Sequence, residues 1–131
     1  MKETVSLIRK IYERFQQKDL PGILAALSED VTWIVHGPRG IPYAGVRAGK
    51  TEVAGWFELF GASVEMRRFE PHVLTGSQRH VIVTGRAEGL ARATGRPFGT
   101  QWCHLWTIHD GEVVQFEDYF DTASVRDAFT N

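Results

Sequence analysis

Gln101–Asp121, QWCHLWTIHDGEVVQFEDYFD, reads as two strands joined by a tight turn at His109-Asp110-Gly111. Side chains alternate along a strand, so Trp102, His104, Trp106 and Ile108 share one face of the first. Val114, Phe116, Asp118 and Phe120 share a face of the second, while Gln115, Glu117 and Asp121 point the other way. Each apolar face thus carries a single ionisable group.

The turn decides whether the two faces coincide. A two-residue loop of Asp110-Gly111 sets His104 opposite Glu117 and sends the apolar sets to opposite sides. A three-residue loop, with Gly111 left-handed, sets Trp102 opposite Asp118 and His104 opposite Phe116. Burial favours the second, because a one-residue slip exposes Val114, Phe116 and Phe120. His104 and Asp118 then sit diagonally on an apolar wall. Unpaired, such groups cost several kcal/mol there. They are the first candidates for a site, and the other register would hand the acid role to Glu117.

Upstream, Val5, Ile8, Ile11, Tyr12 and Phe15 recur at helical spacing, which predicts an amphipathic helix over Thr4–Lys18. Asp19-Leu20-Pro21-Gly22 breaks it. A short helix over Ile23–Leu27 follows, then a turn at Ser28-Glu29-Asp30 and a strand over Val31–His36. Gly37–Gly49, GPRGIPYAGVRAG, reads as a long loop without the spacing of a phosphate-binding motif. Thr51–Phe60 is helical again through Val53, Trp56, Phe57 and Phe60.

From Val64 the pattern turns to strands: Val64–Leu74, His80–Ala91 and Phe98–Ile108, ahead of the closing strand and a short helix over Thr122–Phe129. Helices first and a meandering sheet after predict an α+β domain with a curved antiparallel sheet. A loop centred on Thr94-Gly95 would set Trp102 opposite Ala87 and His104 opposite Gly85, leaving room beside the histidine. Asp121, just before Thr122, reads as an N-terminal helix cap.

The chain has 131 residues, which predicts one domain over 1–131. Apolar residues make up 43% and charged residues 24%, as in an ordinary globular protein. A net charge of -1 gives no footing for nucleic acid or an anionic membrane surface. No stretch is long enough to span a bilayer, and the N-terminus lacks the uninterrupted run of a signal peptide. The lone Cys103 excludes an internal disulfide, and a cytoplasmic address follows as the default. The five histidines form no metal-binding pattern, so neither a metal nor another cofactor is expected.

Three segments carry a resemblance: YERFQQKDLPGILAALSEDVTW, IPYAGVRAGKTEV and HDGEVVQFEDYFDT. Together they resemble the ketosteroid-isomerase-like branch of the nuclear-transport-factor-2-like superfamily, and within it the SnoaL-like polyketide cyclases. The resemblance implies a cone, a cystatin-like α+β barrel in which a curved antiparallel sheet wraps N-terminal helices around a pocket. It also implies a homodimer through the outer sheet face. Aligned on QQKDL, Ile11 falls where steroid isomerases carry their oxyanion tyrosine. Aligned on SEDVTW, Val35 falls at their general-base aspartate, and His104 lies near their second acid. With two of three roles missing, the resemblance argues against steroid isomerase activity proper. Asp118 matches an acidic position of the SnoaL-like and phenazine-biosynthesis relatives.

His104 and Asp118 read as a proton-transfer pair, in which the carboxylate orients the imidazole; the alternative is a satisfied core ion pair or a hydrated polar group in the pocket. Trp33, Trp56, Trp102 and Trp106, with Phe60 and Phe116, could grip a hydrophobic ligand or simply fill the cone. Tyr43 either caps the pocket or lies on the surface, and His36 reads as a solvated strand end. Cys103, Leu105, Thr107, Gln115, Glu117 and Tyr119 form a mixed outer face suited to an interface. The expected function is a cofactor-independent isomerase or cyclase acting on a hydrophobic carbonyl compound by general acid/base catalysis. A non-catalytic ligand-binding or accessory protein is the alternative. An epoxide or ester hydrolase is a weaker one, since no Asp-Arg-Asp set stands out.

Overall fold

A computed structural model describes residues 2–131. In chain order it comprises α1 (Lys2–Gln16), α2 (Leu20–Ala25), β1 (Leu27–Val35), β2 (Gly45–Ala48), α3 (Lys50–Ser63), β3 (Val64–Gly76), β4 (His80–Ala91), β5 (Arg96–His109), β6 (Glu112–Phe120) and α4 (Thr122–Ala128). The α+β class holds. Among the described residues the strands form one six-stranded sheet in the order β2-β1-β6-β5-β4-β3.

The helices are placed by local chemistry. In α1 the 3–4 spacing of Ile8, Ile11 and Tyr12 buries one stripe against the sheet. The helix ends with Lys18 at a φ of 58° and the Asp19 N–H donating to the Arg14 carbonyl, which satisfies a terminal acceptor. Asp19 then caps α2 by accepting from the Gly22 N–H. Asp121 caps α4 in the same way through Ser124, as its position in the sequence implied.

Three expectations need correction. The sheet is neither closed nor wholly antiparallel: β2 and β3 are free edges, and β1 runs parallel to β6. Gly37–Gly49 is not all loop, because Gly45–Ala48 forms an edge strand antiparallel to β1. And β1 starts at Leu27, since Ser28-Glu29-Asp30 is an irregularity within a strand whose pairing shifts between Leu27 and Thr32. Residues that signal a turn also accommodate a bulge.

The hairpin β5–β6 departs from the three-residue turn. His109 pairs with Glu112 across a two-residue turn, with Asp110 at φ 49° and Gly111 at φ 76°. Positive φ at both positions is the type I′ requirement that Asp-Gly meets. Two residues later the register shifts: Thr107 pairs with Gln115 and Ile108 with Val113, leaving Val114 without a partner. This bulge restores the parity that a two-residue turn alone would break. The apolar faces coincide, as burial demanded, but His104 lies directly opposite Asp118 rather than Phe116, and Trp102 opposite Phe120.

The β4–β5 register also differs by two residues from the expectation, with the same parity. Ala91 pairs with Arg96, which sets Trp102 opposite Gly85 and His104 opposite Val83. The space over Gly85 therefore belongs to the Trp102 indole and not to a ligand beside His104. A Cβ at Gly85 would lie 2.2 Å from Trp102 Cζ2 and 2.4 Å from the Glu70 carbonyl oxygen.

That close approach generates a prediction. Gly85→Ala should lower stability by about 1–3 kcal/mol, as overpacking does. Gly55→Ala, on the exposed side of α3 with nothing within 4 Å of its Cβ position, should raise stability by about 0.5–1 kcal/mol. Urea midpoints of the two variants check both signs, and an unchanged midpoint for Gly85→Ala would contradict the packing described.

Candidate functional site

The hairpin and the parallel β1–β6 pair lay two rows of side chains across the inner sheet face. Trp33, Phe116 and Trp106 form one, with Val81 beyond. Val35, Asp118, His104 and Val83 form the next. Both valines are fully buried, so the ionisable pair is hemmed in by apolar neighbours on its own row. His104 is buried and the Asp118 side chain is 17% exposed.

In this row a cavity of about 100 Å³ opens. A single water needs roughly 10–15 Å³ on this measure, so the space suits a larger guest. His104 and Asp118 line it together, as do Trp33, Tyr43, Trp56, Phe60, Trp102, Trp106 and Phe116. Each of these nine was a site candidate in the sequence. Among the described residues no lysine or arginine lines the cavity, and Asp118 is its one carboxylate.

His104 Nε2 lies 3.1 Å from Asp118 Oδ1. The contact is oblique: it lacks the alignment of a hydrogen bond, and Oδ1 is buried without a donor. On its other side His104 Nδ1 is 2.6 Å from Tyr12 Oη. Trp106 Nε1 donates to the same Oη across 3.0 Å. The imidazole is clamped between Trp102, stacked at 4.1 Å, and the edge of Phe116 at 4.9 Å. A ring so held has little rotational freedom.

Tyr12 escaped the sequence reading as a functional residue. Its position on the buried stripe of α1 made it one more core side chain, and the alignment on QQKDL pointed to Ile11 next door. Ile11 lines the cavity with an aliphatic side chain, and Val35 is buried at the row's end. The missed signal was a hydroxyl within an apolar stripe, which must find a partner when buried.

Two further polar atoms are buried without partners: the indole Nε1 of Trp33 and of Trp102. Trp56 differs, since its Nε1 donates to the Tyr43 carbonyl at 2.8 Å and ties α3 to the β1–β2 loop. That bond and the perpendicular packing of Tyr43 on Phe60 at 4.9 Å put Tyr43 inside the molecule, not on its surface. Burial, with a smaller effect of the Asp118 charge, pushes the Tyr43 phenol above its ordinary range.

Glu117 faces away from the cavity. It accepts from Tyr119 Oη at 2.9 Å and Gln115 Nε2 at 3.2 Å, and lies 3.3 Å from His36 Nε2. Desolvation acts to raise its carboxyl, but the hydrogen bonds outweigh it and hold the group below the usual range. His36 stacks on Tyr119 at 4.4 Å, so it is a half-exposed member of the outer face with no part in the cavity. Among the described residues no three His, Cys, Asp or Glu side chains come together as metal ligands, and no helix is long and apolar enough to cross a membrane.

The family model described as a SnoaL-like domain matches residues 8–116. The chain therefore belongs to the SnoaL-like family. An NTF2-like protein of unknown function from Burkholderia pseudomallei is 34% identical, with both chains covered in full and a TM-score of 0.88. An NTF2-like protein from Burkholderia xenovorans is 27% identical over 99% of this chain and 98% of that one, at a TM-score of 0.90. TerC, co-crystallised with polyporic acid, is 25% identical over 97% and 98%, at 0.85. No curated protein matches the chain.

Proposed function

We propose that this protein is a cofactor-independent isomerase or cyclase that acts on a hydrophobic carbonyl compound by general acid/base catalysis. The observation that carries the reading is the juxtaposition of His104 and Asp118, 3.1 Å apart on the wall of an otherwise apolar aromatic cavity. Two titratable groups in a dry enclosure are costly as mere filling, and proton transfer is the chemistry they are equipped for.

The unpartnered atoms bear on the ligand class. The indole N–H groups of Trp33 and Trp102 are donors awaiting an acceptor, and Asp118 Oδ1 is an acceptor awaiting a donor. A ligand with carbonyl oxygens and a hydroxyl or acidic C–H suits that set. A carboxylate or phosphate does not, because Asp118 would repel it and the cavity wall offers no lysine or arginine. The likeness to TerC, crystallised with polyporic acid, supports an organic guest in this space.

A binding or accessory protein is the second reading, favoured by the aromatic cavity itself, which needs no acid or base to hold a guest. Hydrolysis of an epoxide or ester gains nothing from the cavity, since no arginine accompanies Asp118 there. The single cysteine agrees with a cytoplasmic address. The reading includes a two-fold dimer through the outer face, where Ile82 and Tyr119 are exposed beside the Gln115–Glu117–His36 cluster. Light scattering at tens of micromolar should report twice the chain mass, and a monomer would count against the dimer.

Catalysis and binding separate in three variants. His104→Gln and Asp118→Asn should each lose about 10²–10⁴-fold in turnover of an enolisable aromatic ketone. Both should still bind polyporic acid, followed by tryptophan fluorescence, to within about 1–2 kcal/mol. Trp102→Ala should weaken binding most. Turnover equal to wild type in His104→Gln and Asp118→Asn would refute the proton-transfer reading and leave the binder.

A further inference from the structure

The polar atoms around His104 can be ordered by what each is able to do. An indole N–H donates and accepts nothing, so in the 3.0 Å contact between Trp106 Nε1 and Tyr12 Oη the tyrosine is the acceptor. The phenol proton must then point elsewhere. Among the described residues the one other hydrogen-bond partner of this hydroxyl is His104 Nδ1, at 2.6 Å. Burial, with the Asp118 charge acting the same way, raises the Tyr12 phenol well above its ordinary range despite the lowering effect of the Trp106 N–H. Tyr12 therefore keeps its proton and has it to give.

If Nδ1 carried a hydrogen, two N–H groups would converge on Tyr12 Oη, and among the described residues no acceptor would remain for the phenol proton. A buried donor without an acceptor is strongly disfavoured. We infer that Tyr12 is a positioning residue that holds His104 as the neutral tautomer protonated on Nε2, the nitrogen beside Asp118. The sequence alone had the carboxylate orienting the imidazole. Here the orienting group is a tyrosine on α1, on the far side of the ring.

The consequence rests on the reading that His104 and Asp118 act together on a bound carbonyl compound by acid/base catalysis. With Nδ1 occupied and Nε2 protonated, His104 presents a ligand with a hydrogen-bond donor and no lone pair. Taking a proton falls to Asp118, whose Oδ1 has no donor on it. In an isomerisation the C–H bond next to the ligand carbonyl breaks and its proton forms an O–H bond at Asp118 Oδ1. The electron pair of that bond moves through the carbon framework to the carbonyl oxygen, which becomes an enolate held by the His104 Nε2–H. Return of the proton from Asp118 to another carbon of the conjugated system closes the step and restores the carboxylate. His104 stays neutral throughout, and no oxidant or co-reactant is required.

The test is ¹⁵N NMR of the ligand-free protein labelled at histidine, with the His104 signals assigned by comparison with His104→Gln. Wild type should show a protonated Nε2 and a bare, hydrogen-bonded Nδ1. Tyr12→Phe should lose the hydrogen-bonded Nδ1 signature and gain a population protonated at Nδ1. A wild-type spectrum with the proton on Nδ1 overturns the proposal without recourse to any variant, and so does a Tyr12→Phe spectrum identical to wild type. No substrate enters the tube, so the outcomes stay apart. An Nδ1–H signal removes the role of Tyr12 and leaves the pair, whereas undiminished turnover in His104→Gln removes the pair and leaves the tautomer.

Discussion

Val114 has no partner across the β5–β6 hairpin, and on that unpaired residue depends what His104 faces. The Asp-Gly turn alone would set Glu117 opposite the histidine and turn Phe116, Asp118 and Phe120 out to solvent. One extra residue in β6 reverses the parity, and several apolar side chains favour the result. Phe116 is packed between Trp33 and Trp106, at 4.0 and 4.5 Å, and Phe120 packs against the core. Their burial stabilises the register in which an aspartate must go inward with them. The acid in the cavity is thus a passenger on a packing decision, held there by neighbours that gain from the arrangement.

The same logic explains why the sequence revealed which residues share a face but not which residues meet. Period-two alternation encodes parity, and parity was legible for β4, β5 and, from Phe116 on, β6; before the bulge it was not, since Val113 is buried where the alternation chose Val114. Register was not. Shifting either hairpin by two residues keeps every apolar side chain inward, so burial cannot distinguish Trp102 over Gly85 from His104 over Gly85. The type I′ turn was visible as Asp-Gly, yet nothing in the composition around Val114 marks a bulge. Long-range pairing was hidden too. The parallel contact between β1 and β6 joins segments some eighty positions apart in sequence, and β2 is four residues within a run rich in glycine and proline.

Tyr12 was obscured for a different reason. Its ring belongs to the core and its hydroxyl to the site, and helical periodicity reports only the ring. Trp106 was partly misread in the same way: its stacking surface was foreseen, and its N–H, which directs Tyr12, was not. Aromatic residues with a polar tip do two jobs at once. In this cavity they supply most of the wall and most of the hydrogen-bonding directionality, while Asp118 supplies the charge. Two indole N–H groups and one carboxylate oxygen have no partner within the protein, and a guest that satisfies them should stabilise it by linkage.

The central claim is that a ligand carbonyl sits against His104 and Asp118 on the inner sheet face, its oxygen at His104 and the neighbouring acidic group at Asp118. A crystal structure of the protein soaked with polyporic acid or a related planar carbonyl compound tests it most directly. The account predicts a ligand oxygen within about 3.2 Å of His104 Nε2 and the adjacent carbon or hydroxyl against Asp118 Oδ1, with Glu117 still on the outer face. A guest held only by Trp33, Trp56 and Phe60, with Asp118 left without a ligand contact, would contradict it.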